Sequence, residues 1–358
     1  MFKKKIYYIA EINLPSKSAY SIHVMKMCEA FSKLRYDVNL FVISKKNYSQ
    51  INNFYNIKFK FNIISIFKNF ILLNFFLRIL FSSKILLKKI DKDEIFISRS
   101  IIFSLLASIL KRKIILELHH EFTGASKILF LMLKKINLIN NLRFIFINKN
   151  LIKLYDIKKK NYLILDDAVN LDDFKVGSKF KLKKTCVYIG SFFKGKGIDQ
   201  IFRLAKKNQN INFHVYGEKK FLNIKNTCKN LKIFEHVSYN NVPNILSRYE
   251  IALMPYQNRV KGRSSISLEK YMSPLKMFDY LAAGMVIIAS RLQVYKHILI
   301  NNYNCKLANV NDDIDWSNKI NNIIKNKSAR RIIKKNAHKT ASKYTWENRC
   351  KKIIKSFF

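Results

Sequence analysis

The run from Ser273 to Gly284 carries residue types that suit the binding of an anion and of a diol. Its order predicts a helix with Ser273 as N-cap, a proline at the first helical position and Gly284 as the left-handed residue after the end. The free N–H groups of Leu275 and Lys276, with the helix dipole and the lysine charge, predict an anion site. Asp279 follows one turn later, where its carboxylate can accept hydrogen bonds from a diol. Taken alone, the segment fits an ordinary capped helix with an exposed aspartate better.

A second candidate for anion binding is the loop that follows the predicted strand Cys186–Gly190. Glycines there let backbone amides such as those of Gly190 and Ser191 approach a ligand, and Lys194 and Lys196 add positive charge. A surface turn with solvated lysines explains the loop equally well. The chain has only 8 glycines in 358 residues, and five of them end predicted strands or helices in the second half. Together the two segments suit a nucleoside diphosphate.

The elements that position these segments alternate between strand and helix patterns in both halves of the chain, which predicts parallel sheets. In the first half, the strand Lys113–Leu118 ends in His119 and His120. The carboxyl edge of a parallel sheet is where open α/β folds bind ligands. His119 is therefore a candidate site residue, although an isolated histidine is more often structural.

The ordered set of pieces resembles the donor-binding domain of glycosyltransferase family four, whose members are retaining enzymes with the two-domain GT-B fold. The matching pieces are Asp167–Asn170 with Phe174, Gly190–Gly197, Val215–Glu218, Val237–Pro243, Ile251–Tyr256, the Ser273 helix and Val286–Ser290. The resemblance covers nearly the whole chain and is specific mainly from Asp167 onward.

The resemblance implies two Rossmann-like α/β domains that face each other across a cleft. It implies an acceptor-side domain at 1–172, a donor-binding domain at 173–342, and a C-terminal helix at 343–358 that packs on the first domain. Transfer would use a sugar linked to uridine or guanosine diphosphate, without metal or other cofactor. The implied donor residues are Gly190, Ser191, Lys194, Lys196, Ser273, Leu275, Lys276 and Asp279, and the implied catalytic residue is His119.

Two positions depart from the family's pattern. The signature Glu-x7-Glu ends here in Asp279, and Tyr271 occupies the place of its first acid. Asp279 can still accept two hydroxyl groups, whereas the missing first acid leaves the identity of the donor sugar open. Ser191 stands where an arginine often follows the first glycine of the phosphate loop, so lysines would have to neutralise the diphosphate.

The net charge of +44 raises the question of an anionic partner. Lysines are spread over all segments among abundant Asn, Ile, Phe and Tyr, which indicates an A/T-rich coding sequence. No nucleic-acid-binding signature accompanies the charge, so we expect no nucleic-acid partner. Attraction to an anionic membrane is the second explanation, because many such transferases act on glycan or lipid-linked acceptors. Five scattered cysteines fit a reduced cytoplasm. With the basic charge, they lead us to expect a cytoplasmic protein attached peripherally to the inner face of the cell membrane.

Two further segments bear on location. Glu11 interrupts the first apolar run, so we expect a strand there and not a signal peptide. Phe61–Leu80 is the most apolar window, and Lys68 and Arg78 within it argue against a spanning helix. Between a buried helix and an interfacial one, the buried helix is preferred.

Three functions remain in competition. The preferred one is a transferase in cell-surface glycan or glycolipid synthesis. A nicotinamide dehydrogenase is a rival enzyme, but Gly-x-Gly-x-x-Gly is absent after the first strand. The rival without catalysis is a basic membrane- or RNA-binding module.

Overall fold

A computed structural model describes residues 3–67, 74–91, 93–174, 181–222, 228–260 and 269–358. The chain divides into two compact units, which we call the first and second domains. The first comprises Met1–Asp166 and Trp346–Phe358, and the second comprises Asp167–Thr345. The chain thus leaves the first domain after residue 166 and returns at residue 346, whereas the predicted boundaries were 172 and 343.

The first domain alternates strands and helices. Its strands are β1 (Lys3–Leu14), β2 (Tyr36–Lys45), β3 (Asn62–Ser65), β4 (Ile95–Ser98), β5 (Lys113–Leu118), β6 (Leu142–Phe146) and β7 (Tyr162–Ile164). The helices along the same stretch are α1 (Ala19–Lys33), α2 (Tyr48–Tyr55), α3 (Phe75–Leu86), α4 (Ile101–Ile109), α5 (Ala125–Lys135) and α6 (Lys149–Ile152).

All pairs in the sheet of the first domain are parallel, in the order β3-β2-β1-β4-β5-β6-β7. Central strands such as β4 are buried on both faces, which explains their continuous apolar sequence. The strand order reverses between β1 and β4, next to β5. The carboxyl ends of these strands therefore flank the point where open α/β sheets bind ligands.

The second domain repeats this plan. Its strands are β8 (Thr185–Ile189), β9 (Asn212–Tyr216), β10 (Leu231–Phe234), β11 (Ile251–Met254), β12 (Val286–Ser290) and β13 (Cys305–Ala308). Its helices are α7 (Ile198–Lys207), α8 (Val242–Leu246), α9 (Leu275–Ala282), α10 (Asp313–Lys325) and α11 (Lys327–Ala341). The sheet is parallel, in the order β10-β9-β8-β11-β12-β13.

Successive residues of these strands enter opposite cores. Val187 and Ala252 lie in one apolar cluster, whereas Tyr188 and Leu253 lie in the other. Both faces of the sheet are thus covered, and the order reverses between β8 and β11. The predicted fold class, an α/β fold with two parallel sheets, is confirmed.

The last helix, α12 (Trp346–Phe357), packs against α1 of the first domain. Trp346 and Cys350 are fully buried there, and the Cys350 thiol lies 3.8 Å from the carbonyl oxygen of Met27. The end of the chain therefore contributes to the core of the first domain.

The apolar window Phe61–Leu80 does not form one buried helix. Residues 68–73 lie outside the described residues, and the rest divides into β3, a loop and the start of α3. Phe61 and Phe67 are buried, but Phe75 and Phe76 are exposed because α3 turns Phe81 and Ile85 inward. The preference for a buried helix was wrong at the start of α3. Across the described ranges, no helix is both long and apolar enough to cross a membrane.

Candidate functional site

The loop between β8 and α7 lies at the reversal point of the second sheet. Gly190 directly follows β8 and donates its N–H to the carbonyl oxygen of Tyr216 over 3.0 Å. At Gly197, which has φ of +83°, a Cβ atom would come within 1.8 Å of the carbonyl oxygen of Pro255. Only glycine fits this approach of loop to loop, so the turn after β8 is held against the segment that follows β11.

Helix α9 supplies the other side of the site. Pro274 and not Ser273 occupies the N-cap position, and no side chain caps the helix. The Ser273 hydroxyl instead accepts a hydrogen bond from the backbone N–H of Asp167 over 3.0 Å. The predicted N-cap role of Ser273 was wrong, because its hydroxyl joins the helix start to the beginning of the domain. Gly284 has φ of +60°, as predicted for the residue after the helix end.

Two lysines converge between these segments. The Lys276 Nζ lies 3.7 Å from the ring centroid of Tyr188 and 5.5 Å from that of Tyr256. The Lys196 Nζ lies 4.9 Å from the same Tyr256 ring. A Cβ atom on Gly190 would lie 2.3 Å from the Lys276 Nζ, so the missing side chain provides the space that the amino group occupies. The site thus places two lysine amino groups against two tyrosine rings.

The Lys276 Nζ is buried and has no hydrogen-bond partner within the described part of the chain. Burial, reinforced by the charge of Lys196 and opposed by Asp279, holds the pKa of the Lys276 amine well below its usual range. Burial likewise lowers the pKa of Lys196 to about 8. An anion placed here would supply counter-charge to both groups and the hydrogen-bond acceptor that the Lys276 amine lacks among the described residues.

Asp279 lies one helical turn from Lys276 and is 6% exposed. The predicted exposed aspartate of the simple capped helix is therefore not what the structure contains. The hydroxyl of Tyr239 donates to the carboxylate over 3.4 Å. The pKa of Asp279 is raised to about 8, chiefly by burial; the Tyr239 hydrogen bond and Lys276 oppose the rise, and the carboxylates of Asp173 and Asp167 add to it.

The remaining predicted donor residues lie around this core. The carbonyl oxygen of Ser191 accepts from the Tyr188 hydroxyl over 2.7 Å, and Leu275 is the first residue of α9. Lys194 is exposed on the turn, and no described contact joins it to the lysine pair. The structure therefore brings Gly190, Lys196, Lys276 and Asp279 together and leaves Lys194 at the edge.

Sequence reasoning missed the aromatic walls. Tyr188 stands two residues before Gly190 in β8, and Tyr256 follows the end of β11. Both tyrosines lie in segments that resemble the glycosyltransferase family, but an apolar strand pattern predicts a core position for a tyrosine at the end of a strand. Only its position beside a buried ammonium group distinguishes it.

In the first domain, His119 belongs to a cluster centred on Glu117. The Glu117 carboxylate, buried in β5, accepts from the Tyr8 hydroxyl over 2.9 Å. The His119 Nε2 lies 3.0 Å from its Oε1 and the His23 Nε2 lies 3.1 Å from its Oε2. The Arg349 guanidinium of α12 also donates to Glu117. Burial alone would raise the pKa of Glu117, but His23, Arg349 and the histidine hydrogen bonds hold it well below its usual range.

His119 is held neutral. Burial lowers its pKa to about 3, and the charge of Arg99 acts in the same direction, against the raising effect of Glu117. Its ring meets that of His23 edge to face, with 4.8 Å between centroids. Because β5 ends at Leu118, strand alternation does not extend to His120, whose Nδ1 lies 2.9 Å from the carbonyl oxygen of Glu121.

The sequence contains a local indication that Glu117 is a buried, paired acid. An acid within the apolar run of a central strand needs a buried partner. The partners come from three distant parts of the chain, so their identity required the fold.

His23, Glu117 and His119 also form a group whose ligand atoms all lie within 4.8 Å of one another, as a metal site requires. The same carboxylate is already bound by Arg349 and Tyr8. A guanidinium beside the carboxylate opposes a second cation, so these contacts favour a hydrogen-bonded cluster over metal ligation.

Part of the chain is similar to known glycosyltransferase sequences. Residues 170–340 match the family model described as Glycosyl transferases group 1. An uncharacterized glycosyltransferase of Methanocaldococcus jannaschii is 25% identical over 167 residues, which are 45% of this chain and 44% of that protein. The match thus spans less than half of the relative's own length.

Solved structures are similar over nearly the full chain. A glycosyltransferase from Rickettsia africae has a TM-score of 0.74 at 14% identity, covering 99% of this chain and 98% of that one. HepE of Anabaena, solved in complex with UDP and glucose, has a TM-score of 0.72 at 10% identity, covering 99% and 100%. TarM, a protein of S. aureus, has a TM-score of 0.76 at 13% identity, covering 99% and 98%. At these identities the likeness establishes the fold.

The matches do not favour a basic binding module without catalysis. The buried lysine pair and Asp279 lie within the segment that the family model matches. Residues 170–340 are thus similar to glycosyl transferases group 1, in a chain whose two parallel-sheet domains have the fold of solved GT-B glycosyltransferases.

Proposed function

We propose that this protein is a glycosyltransferase that moves a sugar from a nucleoside diphosphate sugar to an acceptor. The observation that carries the proposal is the buried amino group of Lys276 at the start of α9, which has no hydrogen-bond partner among the described residues. Beside it lies Lys196, and one turn further lies the buried carboxyl of Asp279. A diphosphate with an attached ribose satisfies all three groups at once.

Each donor residue has a proposed role. Lys276 and Lys196 bind the diphosphate, with backbone N–H groups of Gly190, Ser191 and Leu275 completing the phosphate cradle. Asp279 accepts hydrogen bonds from the ribose hydroxyls. Ser273 anchors the start of α9, and Lys194 attracts the anion from the rim. His119, in the first domain, is the proposed catalytic residue at the transferred sugar.

Catalysis would be electrostatic. Charge develops on the leaving diphosphate as the glycosidic bond breaks, and fixed cations stabilise it without reorganisation. Two buried lysines can supply the neutralisation that other transferases obtain from a metal, so we propose a metal-independent reaction. Retention of the anomeric configuration is proposed from the resemblance to glycosyltransferase family four.

The acceptor and location are also proposed. A glycan or lipid-linked acceptor in cell-surface synthesis suits a strongly basic protein, because such acceptors lie at anionic membranes. The five free cysteines, four of them buried, suit the reducing cytoplasm. We place the protein on the inner face of the cell membrane.

A ligand screen tests the donor assignment. Uridine and guanosine diphosphates and their sugars are added to the intact protein in EDTA, and the melting temperature is followed. Because HepE is solved with UDP and glucose, UDP and UDP-glucose come first. A ligand at a hundred times its Kd stabilises the fold by about 2.7 kcal/mol. No stabilisation by any nucleotide would remove the donor site, and stabilisation that requires magnesium or manganese would contradict metal independence.

A further inference from the structure

Helix α5 of the first domain is apolar on two opposite sides. Phe130 and Leu133 are buried against the domain. Ile128, Leu131, Met132 and Ile136, spaced at three, four and eight residues, point the other way and are between 52% and 57% exposed. The outward side of a helix on a globular protein is normally polar. This outer side therefore requires an explanation beyond folding.

The neighbouring helices continue the pattern. On α3, Phe76 and Leu80 share one side with Leu87 at the C-cap, and Phe76 and Leu87 are 71% and 84% exposed. Helix α4 packs against both α3 and α5 and ends in exposed Ile109 and Leu110. We call this set the α3–α5 apolar surface. Its members are Phe75, Phe76, Leu80, Leu87, Ile109, Leu110, Ile128, Leu131, Met132 and Ile136.

The charged residues on α3 and α5 are all basic. Neither α3 nor α5 contains an acidic residue. Lys127 and Lys135 flank the apolar side of α5, and Lys84 lies next to that of α3. Lys134 is also near and is paired over 2.8 Å with the exposed Asp156. A partner for this surface must combine an apolar interior with negative charge at its boundary.

Three occupants can be compared on these grounds. A second copy of the chain would bring two basic surfaces together, which costs electrostatic energy. An RNA offers negative charge but no counterpart for isoleucine, leucine and methionine side chains. An anionic bilayer offers both, because lysines reach headgroup phosphates while apolar side chains enter the acyl boundary.

We propose that the α3–α5 apolar surface docks on an anionic lipid bilayer, with α5 as its main contact. The helices lie on the membrane and do not span it. The proposal names the surface by which the protein would reach the membrane location proposed above, and it rests on that proposed function. Its test uses no donor or acceptor, so failure of docking and failure of the transferase assignment are distinguishable.

Co-sedimentation with vesicles tests the apolar contact. The full chain is mixed with vesicles of phosphatidylcholine and phosphatidylglycerol, and with phosphatidylcholine alone. The double variant Leu131→Gln/Met132→Gln should bind the anionic vesicles at least about tenfold more weakly than the parent, because two apolar contacts are lost. The matched control Ile314→Gln/Ile332→Gln changes exposed isoleucines of the second domain, which are 63% and 58% exposed. Its binding should match that of the parent.

A second pair of variants tests the charges. Lys127→Gln/Lys135→Gln and Lys206→Gln/Lys207→Gln remove the same net charge from α5 and from the exposed end of α7. Binding should fall several-fold for the first pair and stay nearly unchanged for the second. Equal losses would mean that only the overall charge of the protein attracts it to lipid, and would overturn the surface.

Fluorescence keeps the proposal testable if a double variant folds poorly. Both native tryptophans, Trp316 and Trp346, are fully buried and provide a constant background. A Leu131→Trp variant should shift its emission to the blue on anionic vesicles, and Ile314→Trp should not. No vesicle binding, no shift at position 131, or a self-associated protein that Leu131→Gln/Met132→Gln makes monomeric would each overturn the proposal.

Discussion

At the scale of single residues, the second domain holds two amino groups where water and counter-charge are scarce. The sequence could predict lysines near both phosphate-binding segments, because glycine spacing and helix signals are local. It could not predict that the Lys276 Nζ is buried between Tyr188 and Gly190. That environment arises from segments far apart in the chain, so the perturbed charge is a property of the fold.

Proton linkage follows from the lowered pKa of Lys196. The free protein loses this proton as pH rises through about 8, whereas a bound diphosphate favours the charged lysine. We expect affinity for UDP to fall above that pH and binding to take up protons near pH 9, both on Lys196 and on Lys276, whose pKa is also lowered. Calorimetry in buffers of different ionisation enthalpy measures the uptake. Lys196→Met should reduce it, and an uptake of zero in the parent protein would contradict this account.

Asp279 has a different pH signature. Its pKa is raised from 3.8 to about 8 on folding, so between these values the folded protein holds a proton that the unfolded chain has lost. The contribution of this group to stability is therefore present at low pH and is lost as pH rises through that window. Asp279→Asn should flatten this dependence in urea unfolding at several pH values. It should also weaken UDP binding near pH 7 by about 0.5–1.5 kcal/mol, since a hydrogen bond to a carboxyl that is neutral in the free protein is lost. Unchanged UDP affinity would remove Asp279 from the site.

Substitution of His119 distinguishes a reactive imidazole from a structural one. With its pKa lowered to about 3, the ring should stay neutral at pH 5, which histidine NMR shifts can follow. His119→Ala should lower turnover by about 10²-fold, a typical contribution of a positioned polar group, with UDP affinity within a few-fold. His120→Ala is the neighbouring control and should affect mainly stability. Equal losses of activity and of melting temperature in both variants would show that the pair is structural.

At the scale of elements, the start of α9 shows the limit of local capping rules. Serine before proline is a good N-cap by type, yet the Ser273 hydroxyl bonds the backbone of Asp167, 106 residues away in sequence. The end of the helix followed its local signal, because Gly284 needs only a left-handed backbone. A cap that competes with a tertiary partner cannot be assigned from sequence.

A buried ion pair binds helix α12 to the sheet of the first domain. Arg349, 4% exposed, pairs with Glu117 of β5. Arg349→Met leaves that carboxylate without its cation and should lower the free energy of unfolding by about 3–5 kcal/mol. Lys351→Met removes an exposed charge paired with Glu347 on the same helix and should cost less than about 1 kcal/mol. Urea unfolding of both variants measures the difference, and equal losses would contradict the role of the buried pair.

At the scale of the whole molecule, alternation of strand and helix patterns was enough to predict two parallel α/β domains. The reversal points of the two sheets then located the strand ends that carry His119 and Gly190. The outer side of α5 could not be predicted in this way. Its apolar residues have the same spacing as a buried helix face, and only the packing of Phe130 and Leu133 shows which side is inward.

The central claim is that a nucleoside diphosphate completes the buried lysine site of the second domain. Calorimetric titration of UDP and GDP into the intact protein, in EDTA, tests it with two matched variants. Lys276→Met keeps the length of the side chain and removes its charge. Lys194→Met does the same at the exposed position on the nearby turn.

We expect the parent protein to bind one of the two nucleotides and Lys276→Met to bind it at least about tenfold more weakly, as for a lost charged hydrogen bond. The melting temperature of Lys276→Met without ligand should not fall, because the variant removes a buried amine for which the described ranges offer no hydrogen-bond partner. Lys194→Met should bind within about threefold of the parent, as for an exposed charge. Equal affinity of the parent and Lys276→Met would contradict the account.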